Sequence, residues 1–205
     1  MATRRIGRPP ASADLDPTTD RILLAAREAF SRYGYHTTTL KDIAAATNIT
    51  TGAIYHHYES KKALFVAVYA DAEGKVLAEF EAAAKRQATF ADQLCAVFET
   101  AARLHGNDPT LARFSAISAI ELRRHPELDA AINDGSKSAL FNFLSTLAKR
   151  AGDRGELPTG LDVSSVSHLL VAMMLGLSQF GAIAESGNAH RKAVRALEHL
   201  IRASF

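Results

Sequence analysis

The chain has 205 residues, enough to bury a sizeable core, and 47% of them are hydrophobic, an ordinary value for a globular protein. That composition excludes a disordered chain, and the longest apolar run, Leu169 to Leu177, is far shorter than the roughly 20 residues of a membrane-spanning helix. The net charge of +2 is unevenly distributed, with +3 on residues 1–62 and −1 on the rest, which favours a negatively charged partner at the N-terminal end.

Residues 1–15 are rich in Pro, Ala and Arg and have no hydrophobic periodicity, which predicts a flexible basic arm. Arg4 and Arg5 precede a Gly-Arg-Pro tripeptide that contains Arg8, and such an extended segment suits the minor groove of DNA. A tail whose charge only aids solubility is the alternative. No apolar run follows these arginines, so no secretory signal is expected, and the lone Cys95 is expected to be buried and reduced.

The first predicted helix begins with Asp16 as its cap and Pro17 at its first position, and it ends at Gly34. A second, short helix is predicted over 40–46, introduced by Thr39 in a sequence resembling a capping box. A turn containing Asn48 leads to a third helix, which ends near residue 58.

Ser60 is predicted to cap a fourth helix, which continues through Phe80. The remainder of the chain has helical periodicity interrupted by Gly, Pro and Asn. Five further helices are therefore expected, near 89–105, 109–124, 126–150, 161–185 and 189–203. The predicted fold class is all-α with about nine helices.

A helix-turn-helix is indicated by three residues of suitable type and spacing within 39–59. Ala44 is small enough for close contact of two helices, Asn48 tolerates a left-handed turn, and Ile54 supplies an inward apolar side chain. These three features alone recur by chance in Ala-rich helical proteins.

Residues 17–77 resemble the TetR family of transcriptional regulators. The resemblance is carried by the run from Ile22 to Phe30, Tyr33-Gly34-Tyr35, Thr38-Thr39, Asp42-Ile43-Ala44, the segment from Thr51 to Tyr58, and Ser60-Lys61-Lys62-Ala63-Leu64. It implies a helix-turn-helix DNA-binding domain over 16–62 and a larger helical domain for ligand binding and dimerisation over 63–205.

The predicted DNA-binding residues lie around the third helix. They are Thr39, Thr50, Thr51, Gly52, Ala53, Tyr55, His56 and Lys61. The start of a short helix offers N–H groups to phosphate, and threonine can contact base edges. Phosphate contacts by Thr39, Tyr55 and Lys61 are implied by the resemblance, with packing or plain solvation as the alternatives. Many relatives have Gly at position 48 and Lys at position 51, so the operator sequence stays open.

The resemblance also implies a dimer interface and a ligand pocket in the C-terminal domain, and a set of residues is predicted for each. A dimer interface on the last two helices is expected to include Val166, Leu170, Leu177, Phe180, Val194, Leu197 and Ile201. A ligand pocket between the middle helices is expected to include Leu94, Phe98, Phe114, Ile117, Glu121, Phe141, Met173 and Gln179. For both sets the alternative is the ordinary core of the monomer.

The sequence therefore predicts a cytoplasmic, homodimeric repressor that leaves a palindromic operator in double-stranded DNA when a small, largely apolar effector binds. No metal, cofactor or membrane partner is expected. A regulator of DNA or of a protein partner without any ligand is the alternative. An enzyme is not expected, because the sequence contains none of the common nucleophile, phosphate-loop, dinucleotide or zinc motifs.

Overall fold

The computed structural model describes residues 17–133, 138–183 and 187–204, and all regular secondary structure in these ranges is α-helical. The ten helices are α1 (Pro17–Thr37), α2 (Leu40–Thr47), α3 (Thr51–His57), α4 (Lys61–Lys85), α5 (Phe90–Asn107), α6 (Pro109–Arg124), α7 (Pro126–Asn133), α8 (Ala139–Asp153), α9 (Val163–Ile183) and α10 (Gly187–Ser204). The predicted basic arm, with Arg4, Arg5 and Arg8, lies outside the described residues.

The local signals of the first third produce the helices that they predict. Thr39 and Asp42 form a reciprocal capping box at the start of α2, and Asn48 ends that helix in the left-handed conformation with φ 54° and ψ 43°. Gly34, at φ 77°, interrupts α1 where the predicted helix stops, and one further helical turn follows it. These local features set the end of α1 and both ends of α2.

The expectation of one helix over 126–150 is wrong, because the structure has two helices there. The first, α7, ends at Asn133, and α8 begins at Ala139 with Ser138 as its cap. The Ser138 hydroxyl accepts a hydrogen bond from the backbone N–H of Phe141, so a new helix start replaces the expected continuation. The described residues consequently form ten helices, where about nine were expected.

Two apolar clusters form the interior. The first surrounds Phe30, Ile54 and Phe65 and joins α1 to α4 with α6 and α7. The second surrounds Phe98 and Leu144 and joins the far end of α4 with α5, α8, α9 and α10. Because α4 contributes to both clusters and α6 also contacts α5 and α9, the first three helices are packed directly against the rest of the protein.

Candidate nucleic-acid interface and effector cavity

Helix α3 presents a polar, accessible face to solvent and an apolar one to the core. Ile54 is fully buried beneath it, whereas Tyr55 is 55% exposed and His56 and Gly52 are also exposed. Thr50 caps the helix by accepting from the backbone N–H of Ala53, and the first turn contains no acidic residue. The exposed face therefore carries N–H groups, hydroxyls and a phenol, all suited to phosphate and base edges.

The turn before α3 is held by backbone and side-chain bonds. The N–H of Ile49 donates to the Ala44 carbonyl at 3.0 Å, and the Arg21 guanidinium of α1 donates to the carbonyl of Thr47. Ala44, at 3% exposure, lies where the helices meet. These contacts fix the orientation of α3 relative to α1 and α2, as a helix-turn-helix requires.

Thr39 is already engaged by its own helix. Its hydroxyl donates to the Asp42 carboxylate at 2.6 Å and accepts from the Asp42 N–H at 3.2 Å. The hydroxyl donor is directed at Asp42 in this structure, so a phosphate bond from that O–H would require the hydroxyl to rotate away from the carboxylate.

Lys61 has a role that the sequence did not reveal. Its ammonium donates to the carbonyls of Tyr35, His36 and Thr38 at 2.8, 3.0 and 2.9 Å, and it lies 4.6 Å from the centre of the Tyr35 ring. Burial lowers the pKa of Lys61, and the nearby Glu121 charge partly offsets that effect. All three ammonium donors thus hold the end of α1 against the start of α4.

An apolar cavity of about 300 Å³ lies between α4, α5, α6, α8, α9 and α10. Its wall is mostly aliphatic and aromatic, with Val76, Phe80, Leu104, Phe114, Leu122, Leu140 and Met174 among the contributors. This volume is at the lower end of the range for ligand sites in proteins. The cavity can therefore hold a compact apolar molecule.

Only Phe114 of the eight residues predicted for a pocket lines this cavity. Leu94 and Phe98 lie fully buried in the second core cluster, and Met173 packs against that cluster. Ile117 is half-buried on α6 but is not part of the cavity wall, and Phe141 meets His168 edge to face with ring centres 5.4 Å apart.

The two predicted polar pocket residues are used for helix contacts. The Gln179 amide donates to the carbonyl of Ala116 at 2.6 Å, which ties α9 to α6. Glu121 is 5% exposed and accepts from the Tyr35 N–H at 3.2 Å. Each therefore satisfies its buried polar atoms within the fold instead of at the cavity.

The chain is similar in sequence to known regulatory proteins. Residues 22–68 match the family model described as bacterial regulatory proteins, tetR family. The HTH-type transcriptional regulator UidR of Escherichia coli K12 is 27% identical over 165 residues, which covers 80% of this chain and 81% of that protein. Together with the shared fold, these similarities indicate a TetR-family transcriptional regulator.

Solved structures of low sequence identity share the whole fold. The fatty acid degradation regulator FadR from Bacillus halodurans superposes with a TM-score of 0.78 at 18% identity, over 92% of this chain and 96% of that one. FadR from Bacillus subtilis, in complex with stearoyl-CoA, superposes with a TM-score of 0.74 at 20% identity, over 91% and 98%. The TetR-like fold therefore extends well beyond the matched N-terminal segment.

In this TetR-family chain, α6 is bonded to α1 at both ends. Asp108, the cap of α6, pairs with the buried Arg27 of α1, and Glu121 near the other end accepts from Tyr35. Residues on another side of α6, including Leu111, Phe114 and Ser118, line the cavity. Sequence analysis missed both links, because the partners are 81 and 86 residues apart and no local pattern joins them.

The structure places six of the seven predicted dimer residues inside the monomer. Val166, Leu170, Leu177, Val194, Leu197 and Ile201 belong to the second core cluster or pack against it. Only Phe180 is exposed, at 39%. The expected stripes on α9 and α10 therefore face the core of their own chain, where α5 and α8 pack against them.

The opposite face of α9 is apolar and accessible. It comprises Leu169, Ala172, Gly176, Phe180 and Ile183, which recur at helical spacing. By length and composition alone, Val163–Gly181 could cross a membrane, and only 22% of that stretch is buried. A protein partner, and not only a membrane, can account for such a face, because contiguous exposed apolar patches mark interfaces.

Proposed function

We propose that this protein is a cytoplasmic, homodimeric repressor that binds a palindromic operator through α3 and is released when a compact, largely apolar ligand enters the cavity. One observation carries the proposal: α6 lines the apolar cavity and is also bonded at both ends to α1 of the DNA-binding helices. A regulator without a ligand would be expected to be packed solid at this position.

The relatives support both the ligand and the direction of regulation. FadR from Bacillus subtilis is described in complex with stearoyl-CoA, a ligand with a long apolar chain. A probable acrEF/envCD operon repressor of Escherichia coli K12 is 46% identical over 48 residues, which cover 23% of this chain and 22% of that protein. The apolar wall of the cavity fits a ligand with a hydrocarbon body, and repression is the action that the second relative is named for.

Ligand binding is expected to act by shifting the relative positions of the two α3 helices in the dimer. A ligand that fills the space beside Phe114 and Ser118 favours whichever position of α6 leaves room for it. Arg27 and Tyr35 transmit that position to α1. α4, which also lines the cavity and follows α3 closely in the chain, provides a second connection. The ligand lowers operator affinity only to the extent that it binds the released state more tightly than the DNA-bound state.

A second copy of this chain is the proposed partner of the exposed face of α9. Two-fold packing of α9 and α10 on their copies would bury Phe180, Ile183 and Leu200, which are 39%, 77% and 66% exposed. The small Ala172 and Gly176 allow the helices to approach closely. Dimerisation also gives each operator half-site its own α3 helix, as recognition of a palindrome requires.

Replacing Phe180 by Glu is expected to convert the dimer to a folded monomer, because two carboxylates would be buried at the two-fold interface without partners. Sedimentation equilibrium at micromolar concentration measures the change, with circular dichroism as the check on folding. Leu24→Glu is the matched control, since Leu24 is 53% exposed on α1, away from α9. A dimeric Phe180→Glu protein would rule out this interface.

Tyr55→Ala is expected to weaken operator binding at least about tenfold, because a hydrogen bond to charged phosphate contributes roughly 1.5–3 kcal/mol. The operator is first selected from random duplex DNA at one fixed salt concentration, and affinity is then measured by fluorescence anisotropy. Tyr33→Ala is the control, since Tyr33 on α1 is equally exposed at 55%. Selection of no sequence by a folded dimer would contradict the proposed DNA-binding function.

A further inference from the structure

Two histidines, the half-buried His105 and the buried His190, form a pair in the wall of the apolar cavity. His105 of α5 and His190 of α10 have ring centres 4.7 Å apart, and His190 is only 3% exposed. Their chain positions are 85 residues apart, so the pair is created by the fold and not by a local motif. It brings two titratable rings together in a wall that is otherwise mostly apolar.

Gly181 of α9 provides the space for this pair. A Cβ atom at position 181 would lie 2.9 Å from His105 Cε1 and 3.1 Å from His190 Cδ2, closer than ordinary packing permits. The backbone of α9 therefore passes directly against both rings. Such a close approach holds the imidazoles in place, as a binding site for a small polar group requires.

The environment lowers the pKa of both rings and so favours their neutral forms. Burial and the charge of Arg113 lower the pKa of His105. Burial and the neighbouring His105 lower the pKa of His190. A hydrogen bond to the Leu177 carbonyl favours the charged form and partly offsets that effect. In neutral His190 the nitrogen that donates to Leu177 carries the proton, so the other nitrogen can only accept.

Other helices contribute few charges to this region. Among the described residues of the cavity wall, Glu73 is the only carboxylate, and none is Lys or Arg. The charge of Arg113 of α6 acts on His105, and Leu177 and Gly181 of α9 contact the pair. Tyr69 and Glu73 of α4 line the same cavity. The wall therefore lacks a permanent cation and gains one only by protonation of a histidine.

We infer that the ligand is an amphiphile with an apolar body and a single carboxylate, and that the His105–His190 pair binds that carboxylate. The inference rests on the proposed function, since it names the chemical class of the effector of the same cavity. A carboxylate beside a protonated imidazole forms a charge-assisted hydrogen bond and removes the cost of burying either charge alone. A phosphate dianion would leave a net negative charge in this wall.

Binding is coupled to proton uptake. One carboxylate and one proton from solvent combine with the neutral pair to give an imidazolium–carboxylate pair, and the only new covalent bond is an imidazole N–H. Between the pKa of the pair in the empty cavity and its higher pKa in the complex, affinity therefore falls as pH rises, by up to about tenfold per pH unit. An alcohol of the same chain length donates its own O–H to the imidazole and takes up no proton.

Isothermal titration calorimetry of the full chain with octanoate and 1-octanol tests the inference. Measurement at several pH values, in buffers of different ionisation enthalpy, counts the protons taken up. Octanoate is expected to take up about one proton per site near pH 7.5, and octanol none. Octanoate that binds without proton uptake, or does not bind, overturns the inference.

Variants test whether the proton uptake depends on the histidine pair. His190→Gln is expected to abolish proton uptake and to lower the affinity for octanoate at least about tenfold. The affinity for octanol should change less than about threefold. Gly181→Ala, which displaces both rings, is expected to act in the same direction. His168→Gln is the control, since His168 is exposed on α9 and bonds to its own helix. Unchanged uptake in His190→Gln contradicts the assignment.

Operator release separates this inference from the proposed function. If octanol releases the selected operator and octanoate does not, the ligand-responsive repressor stands and the carboxylate assignment falls. If octanoate binds with proton uptake but the folded dimer selects no operator, the carboxylate site stands and the proposed function falls. Release by octanoate, weakened in His190→Gln and at high pH, supports both.

Discussion

Replacing Asp108 by Ala is expected to lower the free energy of unfolding by about 3 kcal/mol, because it leaves the guanidinium of Arg27 buried without its counter-ion. Arg27 is only 4% exposed, and its Nη2 bonds to the Asp108 carboxylate at 2.5 Å. The lower end of the range for a buried pair applies, because the Asp108 side chain is 36% exposed. The variant also loses the cap that accepts from the Leu111 N–H.

Urea denaturation at fixed protein concentration measures the loss, and a double variant isolates the charge. Arg27→Met combined with Asp108→Ala removes both partners, so it is expected to recover at least half of the stability lost by Asp108→Ala alone. A double variant that is less stable than Asp108→Ala would mean that the cap, and not the unpaired cation, accounts for the loss.

The same carboxylate makes this link sensitive to acid. Burial acts to raise the pKa of Asp108, but hydrogen bonds from Thr110 and Leu111 and the charge of Arg27 outweigh it and hold the pKa below its ordinary value. Since the folded pKa is the lower one, the contribution is complete above the unfolded pKa near 3.9. It is lost as pH falls through the folded pKa, so the wild type and Asp108→Ala should converge in stability only in strong acid.

The helix-turn-helix was predictable because its determinants are local. The capping box of Thr39 and Asp42, the left-handed Asn48 and the buried Ile54 are each set by neighbours within a few residues, and all three appear as expected. The family resemblance and the packing requirements point to the same residues in this segment. Short helices joined at a steep angle tolerate few residue types at the contact.

The faces of α9 were not predictable from periodicity. Val166 and Leu170 form one apolar stripe, and Leu169 and Phe180 belong to another on the same helix. A helix that is apolar all round gives no signal for which stripe meets its own chain and which meets a partner. Only the positions of α6, α8 and α10 around it decide which stripe is covered.

Cavity residues were equally hard to predict, because a pocket wall and a core have the same composition. Phe114 and Phe98 are both buried aromatic residues on middle helices, yet only Phe114 borders the open space. The distinction depends on a few ångströms of separation between helices. The histidine pair was missed because each His stands alone in its own segment, 85 residues from the other.

Replacing Lys61 by Met is expected to destabilise the protein by about 1.5–3 kcal/mol, because the carbonyls of Tyr35, His36 and Thr38 lose a charged donor at the end of α1. Met retains the apolar length of the side chain, so the change isolates the ammonium. Lys62→Met is the matched control, since Lys62 is exposed beside it and should change stability by less than about 0.5 kcal/mol. Urea denaturation of the three proteins measures both effects.

Operator binding then decides between a structural and a phosphate-contacting Lys61. If the ammonium holds α1 to α4, Lys61→Met loses stability, and its remaining folded dimer shows weaker operator binding with the salt dependence of the wild type, because no phosphate contact was removed. If Lys61 leaves its carbonyls to bind phosphate, stability is retained, affinity falls, and the salt slope decreases by about one per lost contact. The three short bonds to carbonyls favour the first outcome, since a phosphate would have to replace interactions that the ammonium already makes without DNA.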